Sequence, residues 1–299
     1  MNRRRRAILI IHNPTAGWRR RRFLDAVLAG LDAAGCAVGL RLTTARGDAE
    51  AIAAREPLEA YDVIAVAGGD GTINEVANGL VKRDGGHLPT LAVIPTGSAN
   101  VLAHEIGLAI APEAAVGYLT AGSPRTIHLA SVNGRMFLCM ASAGFDAWVV
   151  SKVGARTKRM LGKGAYGLAA AAGMASWPAR VLTIDADGTR LAATTAAVQN
   201  ARRYGGPFVM APGASVLSAG VELCMVAGTG RWPLMRCAAD LALGRIGDSP
   251  VVERRSARRV TITGGTGPVQ ADGDLVGHLP AVIAADAARL ELLFPSNFS

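Results

Sequence analysis

The chain has 299 residues, half of them hydrophobic, and a formal net charge of +9. That length covers one large or two ordinary domains with a sizeable core. The composition excludes several classes: the four cysteines (Cys36, Cys139, Cys224, Cys237) lack metal-ligand spacing, Arg3–Arg6 precedes too short an apolar run for a secretory signal, and no stretch has the length and apolarity of a membrane span.

In chain order, 7–11 reads as an apolar strand and leads into Asn13-Pro14-Thr15-Ala16-Gly17. Residues 23–34 read as a helix with Leu24, Val27, Leu28 and Leu31 on one face, and Gly35 ends it. A strand at 38–42 ends at Thr43, and 48–55 is a short helix. Then comes Tyr61–Ala67, with Val63, Ile64 and Val66, as a buried parallel strand would carry them. Gly68-Gly69-Asp70-Gly71-Thr72-Ile73-Asn74-Glu75 follows, and 73–80 is helical. A strand at 91–94 runs into Pro95-Thr96-Gly97-Ser98-Ala99-Asn100, where Thr96 or Ser98 is placed to cap a helix over 100–106. One more helix covers 112–120. This alternation predicts a parallel sheet with helices on both faces over residues 1–125.

After Gly122-Ser123-Pro124 the pattern turns β-rich, and 126–299 reads as a β-sandwich or related antiparallel domain. Strands are expected at 181–185 and 191–199 around an Asp187-Gly188 hairpin, and at 221–227, 259–263 and 290–294. A basic helical stretch near 152–176 interrupts them.

Strand, glycine turn, helix is the geometry that binds phosphate, because glycine lets the backbone approach an anion and free amides at the helix start point at it. Asp70 adds something an anion cradle does not need. A carboxylate beside phosphates repels them unless it holds Mg²⁺, orients a donor or takes a proton, and this suggests phosphoryl transfer. Taken alone, the octet is also an ordinary turn capped by Asp70 or Thr72. Neither the P-loop nor the dinucleotide fingerprint is present. Three such turns at successive strand ends would line the sheet edge where open α/β sheets place ligands.

These three loops, with Asp272-Gly273-Asp274 near the C-terminus, resemble the bacterial diacylglycerol kinase family of lipid kinases, related to sphingosine and ceramide kinases and more distantly to NAD kinases. The resemblance runs from near residue 7 to near 295. It implies a Rossmann-like domain followed by a β-sandwich domain, with the last ~15 residues returning to the first domain. A cleft between the domains would hold nucleotide and lipid headgroup. The implied activity is ATP-dependent transfer of a γ-phosphoryl group to a hydroxyl of a membrane lipid such as diacylglycerol.

The resemblance also implies residue roles. Residues 68–75, Gly97 and Ser98 contact the nucleotide, Thr43 joins them, and Asn13 with the 14–17 turn sits under the phosphates. The acid after Gly273 is the base that takes the substrate proton; here it is Asp274, where the family usually has Glu. Asp272 and Asp70 would complete an acidic cluster for catalytic Mg²⁺. Asn100 is followed by Val101, where many relatives have Asp. Ser218 stands where relatives carry the Asp of a structural Mg²⁺ site, which argues against that site here.

The partners expected are a lipid substrate and an anionic membrane surface, with no nucleic acid and with a homodimer left open. Basic clusters at Arg3–Arg6, Arg19–Arg22 and Lys152, Arg156, Lys158, Arg159 and Lys163 fit the cytoplasmic face of the inner membrane. Two other readings stay open: a kinase for a soluble alcohol such as NAD, and a nucleotide- or lipid-binding regulator with little catalysis.

Overall fold

The computed structural model describes residues 6–14, 18–83, 85, 87–153, 173, 176–228 and 230–298. The chain divides into two units, Met1–Ile127 with Arg289–Ser299, and His128–Ala288. The first unit alternates strand and helix: β1 (Ala7–His12), α1 (Trp18–Ala33), β2 (Ala37–Leu42), α2 (Asp48–Arg55), β3 (Val63–Gly68), α3 (Asp70–Val81), β4 (Thr90–Pro95), α4 (Val101–Glu105) and α5 (Pro112–Ala121). The strands run parallel in the order β2-β1-β3-β4, so the order in which they are added reverses between β1 and β3. Ile8–Ile11 and Ile64–Ala67 have no exposed surface. A strand covered by helices on both faces needs such a continuous apolar run. Burial contributes roughly 1.5–3 kcal/mol for each of the larger side chains.

Two details differ from the sequence reading. Helix α1 begins at Trp18, inside the basic run, rather than near residue 23. Arg6 is tied inward: its guanidinium donates to the carbonyls of Leu119 and Gly122, both at 2.7 Å, and so closes the C-terminal turn of α5.

The second unit follows from β5 (Ser123–Val132), whose first residues belong to the first unit. It contains β6 (Arg135–Phe137), β7 (Met140–Ala143), α6 (Phe145–Lys152), β8 (Leu182–Ala186), β9 (Thr189–Ala193), β10 (Thr195–Gln199), β11 (Arg203–Tyr204), β12 (Phe208–Val209), β13 (Val221–Val226), α7 (Arg231–Ala242), β14 (Val252–Ala257), β15 (Arg259–Thr263), β16 (Pro268–Ala271), β17 (Asp274–His278) and β18 (Ala281–Phe294). One layer pairs β9, β8, β15 and the start of β18; the other runs β14-β13-β10-β7-β16-β17. Ile184, Val260 and Ile283 from the first layer and Ala141, Val198, Leu223 and Val269 from the second share one core. This is sheet-on-sheet packing. The outer face of the second layer, through Cys224 and Val226, packs on α7 by Leu234 and Cys237. The end of β18 lies in the first unit, where Leu292 registers with Leu91 of β4 in parallel.

The expected strand at 191–199 is two strands. The chain leaves one layer at Ala193 and enters the other at Thr195. At that crossing a Cβ on Gly144 would lie 2.3 Å from the Thr194 carbonyl, and Gly144 has φ +94. The helix α7 is absent from the sequence reading. Pro233 resembles a breaker there, but it falls in the first helical turn, where proline costs little. The basic stretch at 154–163, Arg3–Arg5 and the side chains of Arg19 and Arg20 lie outside the described residues.

Candidate active site

The described residues that the resemblance assigns to the nucleotide lie on the loops and helix starts at the carboxyl edge of the parallel sheet, on both sides of the point where the strand order reverses. There the loops after β1 and β3 diverge and leave room for a ligand. Asn13 follows β1: its N–H donates to the Ala67 carbonyl at 3.0 Å, and its Nδ2 donates to Thr72 Oγ1 at 3.3 Å. Pro14 lies in the same turn, while Thr15, Ala16 and Gly17 lie outside the described residues. Thr43 follows β2, is buried, and donates its N–H to the His12 carbonyl at 2.9 Å. Gly68 ends β3, and Gly69 caps α3 in extended backbone. The Thr72 and Ile73 amides bond back to the Gly69 carbonyl at 2.9 and 3.1 Å. The helix thus opens with the Asp70-Gly71 peptides at its positive end.

Two loops meet closely here. A Cβ on Gly97 would lie 2.5 Å from Gly69 Cα and 2.6 Å from Asn100 Oδ1. Glycine at both places lets the β3 and β4 loops touch backbone to backbone. Beside them, Thr96 Oγ1 is buried with no hydrogen-bond partner among the described residues. A glycine-lined cradle with an unsatisfied hydroxyl fits a polar ligand. Ser98 lies in the same loop.

The capping of α4 differs from the expectation. Neither Thr96 nor Ser98 caps it. Asn100 stands at the N-cap with φ 50, and Asp70 Oδ1, reaching across from the β3 loop, accepts the Leu102 N–H at 3.2 Å. Asp70 therefore joins two motif loops. Further along α3, Ile73 is buried, Asn74 Oδ1 accepts from Asn78 at 3.1 Å, and Glu75 accepts the Gly47 N–H at 3.0 Å. These three side chains are engaged with the fold.

In the second unit, Asp272-Gly273 is a hairpin turn between β16 and β17, with φ values of 47 and 84. Asp187-Gly188 has the same form. Both are type I′ geometry. Both aspartates also bind backbone: Asp187 accepts the Arg258 and Arg259 amides at 2.9 and 2.8 Å, and Asp272 accepts those of Leu138, Cys139 and Met140 at 2.8, 2.9 and 3.1 Å. A carboxylate gathering three amides is a strut for the β6–β7 connection. No group of three or more His, Cys, Asp or Glu side chains suited to a metal comes together among the described residues. Ser218 donates its hydroxyl to the Ser215 carbonyl at 2.8 Å, within its own turn.

Asp274 begins β17, half-buried, and a network behind it holds its turn. Gln270, fully buried, accepts the Gly273 N–H at 2.9 Å through Oε1. Its Nε2 donates to Ser142 Oγ and Asp146 Oδ2, both at 2.8 Å. Asp146, in the first turn of α6, also accepts the hydroxyls of Ser142 and Tyr204. Sequence reasoning missed Ser142, Asp146, Tyr204 and Gln270. The one signal was a glutamine in an otherwise apolar strand, and a fully buried glutamine requires partners.

Burial raises the thiols of the outer core. Cys237 is pushed up to about 11, by desolvation first and then by Asp240, and Cys224 higher still by desolvation.

Comparison with known proteins bears on both units. Residues 7–132 match the diacylglycerol kinase catalytic domain, and residues 139–294 match the YegS C-terminal NAD kinase beta sandwich-like domain. A diacylglycerol kinase of Bacillus subtilis (strain 168) is 38% identical over 162 residues, 52% of each chain. A Pseudomonas aeruginosa (strain PAO1) protein named "Probable lipid kinase YegS-like" is 34% identical over 161 residues, 54% of this chain and 51% of that one. The chain thus spans about half the length of the curated relatives it matches. A solved structure of a diacylglycerol kinase from Bacillus anthracis str. Sterne superposes with a TM-score of 0.71 at 20% identity over 98% of both chains. Another structure from that organism reaches 0.78 at 23% identity, covering 100% of this chain and 99% of that one. These two likenesses establish the fold. No helix among the described residues is long and apolar enough to cross a membrane.

Proposed function

Because the chain belongs to the family that joins a diacylglycerol kinase catalytic domain to a YegS C-terminal NAD kinase beta sandwich-like domain, we propose that it is an ATP-dependent lipid kinase. The acceptor is a hydroxyl of a membrane lipid of the diacylglycerol class. The observation that carries this reading is the gathering of motif loops at the sheet edge: Asn13 bonds Thr72 at the start of α3, and the Gly69–Gly97 contact lies next to the orphaned Thr96 hydroxyl.

In this reading the α3 N-terminus and the glycine loops receive the ATP phosphates, and Asn13 and Thr72 fix the floor beneath them. Asp70 is the candidate carboxylate for a Mg²⁺ that would enter with ATP and would supply charge neutralisation on the phosphates. Asp274 accepts the proton of the lipid hydroxyl as that oxygen bonds to the γ-phosphorus and the bond to the ADP oxygen breaks. Asp272, Gln270 and Asp146 are positioning residues. They hold the turn from which Asp274 projects, and none needs to touch a substrate. Catalysis of this kind is mostly positioning and charge neutralisation, so a rigid turn matters more than an extra reactive group. The enzyme works at the cytoplasmic face of the membrane, held there peripherally by basic side chains.

The test is direct. The purified chain is supplied with ATP labelled on the γ-phosphate and, separately, with diacylglycerol in mixed micelles or with NAD. Label in the lipid supports the reading. Label in NAD, or in neither acceptor with ATP bound, overturns it.

A further inference from the structure

The helix α7 carries two faces. Leu234, Cys237 and Asp240 turn inward, while Trp232, Met235, Ala239, Ala242 and Leu243 recur on the opposite side. That spacing of three and four residues forms one stripe along a helix. Trp232 is 69% exposed, Met235 53% and Leu243 60%. The adjoining strand β12, packed against α7, adds Phe208 at 41%. A soluble surface scatters such side chains singly; four large ones on neighbouring elements mark a place that something covers.

The charges say what covers it. From Arg231 to Arg245 the exposed charged residues are Arg231, Arg236 and Arg245. The one carboxylate in that stretch, Asp240, is buried against Arg236 at 2.9 Å. An apolar stripe edged by arginines, with tryptophan at one end, is the composition of a helix that lies in a membrane interface. We propose that α7 is the surface by which this protein docks on anionic lipid, with Trp232, Met235 and Leu243 entering the headgroup–acyl boundary. The choice of a bilayer as occupant rests on the lipid-kinase reading. It differs from the basic clusters noticed in the sequence, because here apolar insertion and charge act on one helix.

The test uses the full chain and vesicles of phosphatidylcholine with or without phosphatidylglycerol. Exchange of both Trp232→Ser and Met235→Ser is expected to weaken partition onto the anionic vesicles by roughly tenfold or more, since the buried apolar area sets the strength of interfacial binding. Arg231→Gln with Arg245→Gln is expected to weaken it on anionic vesicles alone, and added salt to mimic that loss. Wild-type tryptophan fluorescence is expected to be quenched by brominated lipid, and Trp232→Phe to remove most of that quenching. Unchanged partition of the serine variant, or quenching that survives Trp232→Phe, overturns the proposal. So does a dimer that the serine variant converts to monomer without loss of vesicle binding, because a second copy would then be the occupant. Turnover of a water-soluble short-chain diacylglycerol separates the two readings. If the wild type turns it over, the serine variant is expected to match it. If no lipid is phosphorylated while Trp232 is still quenched, the kinase reading fails and the docking surface stands.

Discussion

Replacing Gly97 with alanine would place a methyl group 2.5 Å from Gly69 Cα and 2.6 Å from Asn100 Oδ1. Carbon atoms rest at about 3.5–4.0 Å, so the overlap is on the order of 1 Å. Neither neighbour yields easily. One is backbone, and the other is the side chain of a residue held at φ 50 at the head of α4. The β3 and β4 loops must therefore part by about an ångström. Overpacking of this kind costs roughly 1–3 kcal/mol, which a domain of ordinary stability survives, so the variant should fold with a lower unfolding temperature. The functional loss should be larger in proportion, since a shift of about 1 Å in a positioning element can reduce turnover on the order of 100-fold. ATP binding by calorimetry and unfolding by differential scanning would be measured together. The matched control is Gly117→Ala, in the middle of α5 with nothing within 4 Å of the added carbon. It should stabilise by roughly 0.5–1 kcal/mol and leave ATP binding alone. If Gly97→Ala binds ATP as tightly as the wild type, the loop contact does not form the nucleotide cradle.

Asp274→Asn should lower kcat by about 10²–10⁴-fold with little change in ATP binding, as expected for a lost general base, and Asp187→Asn at the matching turn should leave kcat alone. Gln270→Leu keeps the volume but strands the Gly273 amide and takes one of its three donors from the Asp146 carboxylate. It should cost roughly 1–3 kcal/mol in stability and reduce kcat more than it raises the KM for ATP, whereas a purely structural role would leave kcat of the folded fraction intact. Asp70→Asn, which keeps an acceptor for the Leu102 N–H, should abolish turnover without unfolding; Asp70→Ala should add about 1 kcal/mol of lost capping. Near-full activity of the asparagine variant would remove Asp70 from the mechanism. For Cys237, burial raises the folded thiol from the ordinary 9.0 to about 11. Its contribution to stability is thus complete below pH 9 and lost as pH climbs toward 11, and at pH 8 a thiol reagent should modify the half-buried Cys36 well before Cys237.

What the sequence determined by itself is local. The apolar runs at 7–11, 61–67 and 91–94 had to be buried strands, because seven or fewer apolar residues bounded by glycine, proline and asparagine turns have few other stable uses. The Asp187-Gly188 pair reads as a hairpin turn by itself, since Asp and Gly tolerate the positive φ a tight hairpin demands. The glycine loops announced a phosphate-type edge for the same reason: backbone freedom is written in the residue itself. What the sequence left open depends on neighbours far along the chain. That Gly69 needs Gly97, that Asp70 caps α4, and that Gln270 binds Asp146 are contacts between residues 28 to 124 apart in the chain. No periodicity encodes them. The division of 191–199 at Thr194 is of the same kind: no glycine or proline breaks the run, and only the pairing of its first half with β8 and of its second half with β13 shows where the chain changes layers. The helix α7 stayed hidden because its apolar residues lie on both faces, one against the core and one outward. A pattern that buries two faces reads as no pattern until tertiary structure shows which face the protein itself fills.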